Sequence, residues 1–189
     1  MISKLSSAAA VFEAIFSTAG NASMVEQKGS AYDFVFTSID GAPLPLEGFR
    51  GRAILIVNTA SRCGFNFQYA GLQEIWQTYQ HKGLVVIGVP SNDFGYQEPK
   101  GEIELKRFCR GTYAVTFPLA GKTKIRGPNA HEFYKWATEA LGEKSKPRWN
   151  FHKYLVNSDG KLVAWFAPTV TPRSRRLAGA IEDALPKAG

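Results

Sequence analysis

Two short runs rich in β-branched residues, AILIVN at 53–58 and LVVIGV at 84–89, constrain the fold more than any other feature of the chain. Neither alternates polar with apolar residues, so each reads as a strand buried on both faces. Between them Leu72, Ile75, Trp76 and Tyr79 recur at helical spacing, and Lys82-Gly83 closes that pattern as a helix end does. Two buried strands joined through a helix of this length form a strand-helix-strand unit, which implies a parallel pair at the centre of a sheet.

The flanking segments complete an α/β pattern. Residues 31–49 alternate in polarity and turn at Asp40-Gly41, which predicts an N-terminal β-hairpin. Residues 103–109 read as a helix, Phe117-Pro118 opens a further strand or edge segment, and 130–141 form an amphipathic helix with Phe133, Trp136 and Ala137 on one side. Residues 151–156 and 161–166 pair antiparallel across Asn157-Ser158-Asp159-Gly160, and 177–185 close the chain as a helix. The expectation is a mixed central sheet flanked by helices on both faces, as in thioredoxin-like domains. It occupies residues 31–189 and follows an N-terminal extension, 1–30. Within that extension Lys4, an apolar stretch and small residues at 19–22 resemble a secretory leader, interrupted by Glu13. The location is read as cytoplasmic, or exported and periplasmic if the extension is a cleaved leader.

Composition removes several function classes. The 189 residues carry a net charge of +7, but the 23 basic residues are scattered, the densest group being Arg173, Arg175 and Arg176. A nucleic-acid reader would gather that charge along one element, so no nucleic-acid partner is expected. No stretch approaches the 18 or more apolar residues of a membrane span. His81, His131 and His152 lie far apart, in no metal-ligand spacing, and read as surface or polar-network residues. No metal and no cofactor is expected.

Cys63 lies directly after a buried strand, at what reads as the mouth of the next helix, with Arg62 beside it. Unpaired helix N–H groups and a neighbouring positive charge both favour a thiolate. A lone cysteine is more often a small buried core residue, but a strand-to-helix turn is a place where side chains do chemistry. Both readings stand on the residues alone. A thioredoxin-type C-x-x-C pair would need a second cysteine where Asn66 stands.

Three segments together resemble one family. VNTASRCGF is similar to the signature around the peroxidatic cysteine or selenocysteine of the glutathione peroxidases. GVPSNDFGYQEP and RWNFHKYLVNSDGK resemble the second and third signatures of that family, in the same order. The resemblance runs from about Tyr32 to Leu185. It implies a thioredoxin-like fold and a thiol peroxidase that reduces hydrogen peroxide and organic or lipid hydroperoxides, with Cys63 as the peroxidatic residue and Gln97, Trp149 and Asn150 around it. All three are neutral donors, suited to charge that moves from sulfur to oxygen as a peroxide splits. Asn92 and Gly95 read as shaping the loop that presents Gln97.

The second cysteine, Cys109, stands in ELKRFCRGTYAVTFP, which resembles the stretch carrying the resolving cysteine of non-selenium members reduced by thioredoxin. The resemblance thus implies a Cys63–Cys109 disulfide, with thioredoxin as reductant and glutathione as the other candidate; a buried cysteine on an apolar helix face is the plainer reading. A peroxide sensor that relays its disulfide to a regulatory protein would use the same two residues. Three positions depart from the family pattern: Asn66-Phe67 replaces Thr-Pro, Lys100 replaces Gly, and His152 replaces Glu. The segment 126–148 is short beside the tetrameric members, which implies a monomer or dimer.

Overall fold

The computed structural model describes residues 27–187. The leader-like features at 1–26 lie outside the described residues. The chain order is β1 (Val35–Thr37), β2 (Pro43–Pro45), β3 (Ala53–Thr59), α1 (Gln68–Tyr79), β4 (Leu84–Pro90), α2 (Glu102–Tyr113), α3 (Glu132–Leu141), β5 (Lys153–Val156), β6 (Leu162–Phe166) and α4 (Arg175–Ala184). β1 and β2 form the antiparallel hairpin read from the sequence, with Phe36 opposite Leu44.

The central sheet has the order β4-β3-β5-β6. β3 and β4 run parallel in the register Ile56↔Ile87, while β3 pairs antiparallel with β5, and β5 with β6. Every residue of β3 and of β4 is buried, which is why both runs lack polar alternation. Their side chains divide by parity. Ala53, Leu55 and Val57 face Leu72 and Ile75 of α1, Leu105 and Cys109 of α2, and Leu177 and Ile181 of α4. Ile54 and Ile56 face Phe36 and Leu46 beside the hairpin and Phe133, Tyr134 and Ala137 of α3. Helices therefore cover both faces, and the C-terminal end of β3 opens into the loop that carries Cys63.

The segment at Phe117-Pro118 proves to be an edge. It meets the sheet through a single parallel bridge, Gly88↔Leu119, and meets the hairpin side through Ser38↔Ala120. A Cβ on Gly88 would lie 2.7 Å from the Leu119 side chain, so the missing side chain is what permits the approach. The predicted stop at Lys82-Gly83 is also present, with Gly83 in the left-handed region at φ 97°.

Candidate active site

The loop after β3 is closed partly by its own hydrogen bonds. Cys63 N–H donates to Ala60 O at 3.4 Å, and Asn66 N–H donates to Cys63 O at 2.9 Å. The Asn66 side chain closes the ring by donating from Nδ2 to Ser61 O at 2.8 Å. Cys63 is 1% exposed, and its sulfur accepts a hydrogen bond from Phe65 N–H at 3.5 Å. This revises one expectation, because α1 begins only at Gln68, with Phe67 at the N-cap position and no side-chain cap. The helix field falls off within its first turn, so the backbone of the Cys63 loop replaces the helix mouth as the local donor.

Gln97 and Asn150 meet on this loop. Arg62 N–H donates to Gln97 O at 3.0 Å, which pins the Gln97 backbone one residue from Cys63. The Asn150 amide donates from Nδ2 to Gln97 Oε1 at 2.9 Å, and Asn150 is fully buried with its Oδ1 unpartnered. Residues 149–152 are held to the end of β3 by a three-rung ladder: Phe151 N–H to Asn58 O at 2.6 Å, Asn58 N–H to His152 O at 3.2 Å, and Asn58 Nδ2 to Trp149 O at 3.1 Å. Trp149 is 40% exposed, and its ring rests 5.9 Å from that of Phe94. None of the three side-chain donors reaches the Cys63 sulfur in this state.

Backbone strain concentrates at the same place. Tyr96 (φ 53°) and Phe151 (φ 64°), two of the three non-glycine residues at positive φ among the described residues, flank Gln97 and Asn150 respectively. Such conformations cost about 1–3 kcal/mol each and survive where the surroundings over-determine them. Gly95, at φ 64°, makes the turn into this loop, and Asn92 Oδ1 accepts Glu98 N–H at 2.9 Å, which matches the loop-shaping part read for both.

Sequence reasoning missed Glu98. Its side chain is fully buried and takes two hydrogen bonds from one residue of the Cys63 loop, Ser61 N–H to Oε2 and Ser61 Oγ to Oε1, each at 2.7 Å. Burial raises its pKa more than the Ser61 bonds lower it. The available signal was a carboxylate beside Gln97 in YQEP, a stretch otherwise without charge.

Cys109 is fully buried in α2, and both cysteines are free thiols. The Tyr69 hydroxyl lies against the Cys109 sulfur, and Tyr69 in turn packs 5.4 Å from Tyr113, 5.5 Å from Phe151 and 6.4 Å from Phe108. Burial pushes the Cys109 thiol up to about 11, against a lowering by the Tyr69 hydroxyl. In this state it is a protonated, sheltered sulfur.

His152 overturns the surface half of its reading, although a hydrogen bond with the Ser145 backbone leaves the polar-network half standing. It is 2% exposed, its ring stacks on Trp165 at 5.4 Å, and Nε2 has no partner. Burial, with the neighbouring Lys153, lowers its pKa from 6.5 to about 3. A histidine depressed on folding contributes stability above its unfolded value and loses it as pH falls. Urea unfolding should therefore show wild-type stability declining between pH 6.5 and about 3 more steeply than in His152→Phe. Equal slopes would exclude His152 as a source of acid lability. His131 fits a polar network too, since its Nδ1 accepts Phe133 N–H at the start of α3. No helix among the described residues is long and apolar enough to cross a membrane.

A parallel strand pair extended by two antiparallel strands, covered by helices on both faces and carrying a cysteine at the end of its central strand, defines a thioredoxin-like protein. Solved structures share this fold: Trgpx in its apo form superposes with TM-score 0.64 at 33% identity, covering 82% of this chain and 95% of that one. A thiol:disulfide interchange protein of the thioredoxin family from Chlorobium tepidum shares the fold at TM-score 0.59 and 15% identity, over 80% of this chain and 92% of its own. The glutathione peroxidase family model matches residues 31–138. The chain is 42% identical over 155 residues to a hydroperoxy fatty acid reductase of Synechocystis sp., covering 78% of this chain and 92% of the relative. It is 40% identical to a glutathione peroxidase-like peroxiredoxin of Chlamydomonas reinhardtii, over 82% and 95% of the two chains. The chain belongs to the glutathione peroxidase family.

Proposed function

We propose that this protein is a thiol peroxidase in which Cys63 attacks hydrogen peroxide and organic hydroperoxides and Cys109 resolves the product. The observation that carries this reading is the Asn150–Gln97 hydrogen bond, set on a backbone pinned one residue from Cys63. The pair offers neutral amide donors beside a cysteine loop and no competing nucleophile. In the first step the Cys63 sulfur forms a bond to one peroxide oxygen, the O–O bond breaks, and the departing oxygen leaves as water or an alcohol after taking a proton. Cys63 becomes a sulfenic acid, oxidised by two electrons. Donors from Gln97, Trp149 and Asn150 stabilise the charge arriving on oxygen once peroxide has entered.

In the second step the Cys109 sulfur displaces hydroxide from Cys63, the S–S bond forms, and water departs. A thiol reductant then restores both thiols; thioredoxin is the proposed donor, with glutathione as the alternative. Two relatives named as a peroxiredoxin and as a hydroperoxy fatty acid reductase support hydroperoxide chemistry of this kind. Organic chains are further supported by the aromatic rim: Phe67 is 54%, Tyr96 82% and Trp149 40% exposed, all on the loops around Cys63. Tyr96 also borders a cleft of about 440 Å³ whose lining is polar and of mixed charge, with Asn92, Asp93, Lys122, Thr123 and Lys124.

Steady-state assays with thioredoxin and with glutathione, on wild type and Cys109→Ser, test the reading. The expected result is loss of at least about 100-fold with thioredoxin, because the sulfenic acid has no internal partner to resolve it. Undiminished thioredoxin turnover in Cys109→Ser would remove the disulfide from the cycle.

A further inference from the structure

Asn66 stands where the family pattern places threonine, and its side chain does something a threonine could not do in the same way. Its Nδ2 donates to Ser61 O at 2.8 Å across the Cys63 loop, while its Oδ1 accepts the Tyr113 hydroxyl at 3.1 Å. Tyr113 is the last residue of α2, the helix that carries Cys109. One amide therefore spans the segment around the first cysteine and the helix of the second. We infer that Asn66 is a positioning residue that clasps the Cys63 loop to α2, so that α2 cannot swing Cys109 outward without first releasing the loop that holds Cys63.

The remaining hold on α2 is light. Only Leu105 and Cys109 of its residues are fully buried, and Glu102, Ile103, Glu104, Arg107 and Arg110 face solvent. Its one long-range ion pair among the described residues, Lys106 with Asp40, reaches toward the hairpin turn, and Lys122 N–H donates to Glu102 Oε1 at 3.5 Å near its start. Beyond the helix, Gln73 grips Thr116 with a double hydrogen bond, Thr116 N–H to Oε1 at 2.9 Å and Nε2 to Thr116 Oγ1 at 2.8 Å. That grip fixes the segment following α2 and leaves Tyr113 as the contact through which the helix end senses the Cys63 loop. Ala114, between the two anchors, ends the helix in the left-handed region at φ 51°, a conformation strained for a non-glycine residue. A helix with few buried residues and a strained end is the kind of element that opens locally.

The clasp gives the cycle an order. While it is closed, the Cys63 loop is held in shape for peroxide and Cys109 is sheltered. Once Cys63 is a sulfenic acid, opening of α2 breaks the Tyr113–Asn66 bond, and Cys109 is freed to attack as the loop loosens. Resolution is thus limited by an opening step whose barrier includes this hydrogen bond. The inference rests on the proposal that Cys109 is the resolving residue.

The test is rapid mixing with one equivalent of hydrogen peroxide, quenching at intervals, and quantifying sulfenic acid and disulfide by mass spectrometry in wild type, Tyr113→Phe and Asn66→Ala. Tyr113→Phe keeps the ring that packs on Tyr69 and removes only the hydroxyl. It should speed disulfide formation about fivefold, the factor a hydrogen bond of ordinary net strength represents, and leave Cys63 oxidation within about twofold of wild type. Asn66→Ala also loses the bond to Ser61, so it should slow Cys63 oxidation as well as speed the disulfide step. A merely structural contact would lower thermal stability without separating the two steps. Disulfide formation in Tyr113→Phe at the wild-type rate or slower overturns the clasp. Absence of any disulfide in wild type overturns the assignment of Cys109 and the clasp with it, a result distinct from a disulfide whose rate ignores Tyr113.

Discussion

Replacing Cys63 with serine should cut peroxide-dependent thiol oxidation by at least about 1000-fold with every reductant, about 4 kcal/mol of barrier. A hydroxyl is a far weaker nucleophile than a thiol near neutral pH, and none of the groups around the loop is placed as a base to activate it. The substitution is nearly isosteric, and the loop is held by its backbone, by the Asn66 side chain and by Glu98, none of which it touches, so the fold should survive. Thermal unfolding within a few degrees of wild type would show that the loss is chemical. Retained turnover would move the reaction to another residue.

The second large effect should come from Glu98, which touches no reacting atom in the proposed cycle. Glu98→Ala leaves the Ser61 N–H without its partner under a closed loop, at a cost of about 1–3 kcal/mol, and releases the segment that carries Cys63. Displacement of a reacting group by about 1 Å can cost about 100-fold in rate, so turnover should fall about tenfold to 100-fold along with stability. Glu98→Gln separates charge from shape. Its amide oxygen can still accept Ser61 N–H, and its NH₂ can donate to Ser61 Oγ. The folded pKa of Glu98 lies above the unfolded value, so its favourable contribution is present below that unfolded value and is lost as pH rises through the folded one. At neutral pH Glu98→Gln should therefore be at least as stable as wild type, with a flatter stability profile above the carboxyl range and activity within about threefold. Equal damage from both variants would mean that the carboxylate charge itself is required.

What was legible in the sequence and what was not divide along a physical line. AILIVN and LVVIGV announced themselves because a strand buried on both faces has no polar alternation to hide it, and the strand-helix-strand unit followed from their spacing. The hairpin at Asp40-Gly41 and the turn at Asn157–Gly160 were legible because turn residues act locally. The true start of α1 at Gln68 was not, since turns stabilised by backbone bonds such as Asn66 N–H to Cys63 O leave no side-chain mark. Glu98 was invisible because its partner, Ser61, lies on another loop, and only the fold brings them together. The burial of His152 was missed for a similar reason: the Trp165 ring that covers it comes from the neighbouring strand β6. For the candidate site, the resemblance of three motifs named Cys63, Gln97, Trp149, Asn150 and Cys109. The structure brings Gln97 to Asn150, pins Gln97 beside the Cys63 loop, leaves Trp149 at the rim, and buries Cys109 against Tyr69.

In the proposed cycle, peroxide oxygen arrives first on the sulfur of Cys63. The most direct measurement treats Cys109→Ser with one equivalent of hydrogen peroxide in the presence of dimedone, which captures sulfenic acids, followed by peptide mass spectrometry. With no second thiol to consume the intermediate, near-stoichiometric dimedone adduct should form on the peptide containing Cys63. Peroxide consumed with Cys63 left as an unmodified thiol would contradict it.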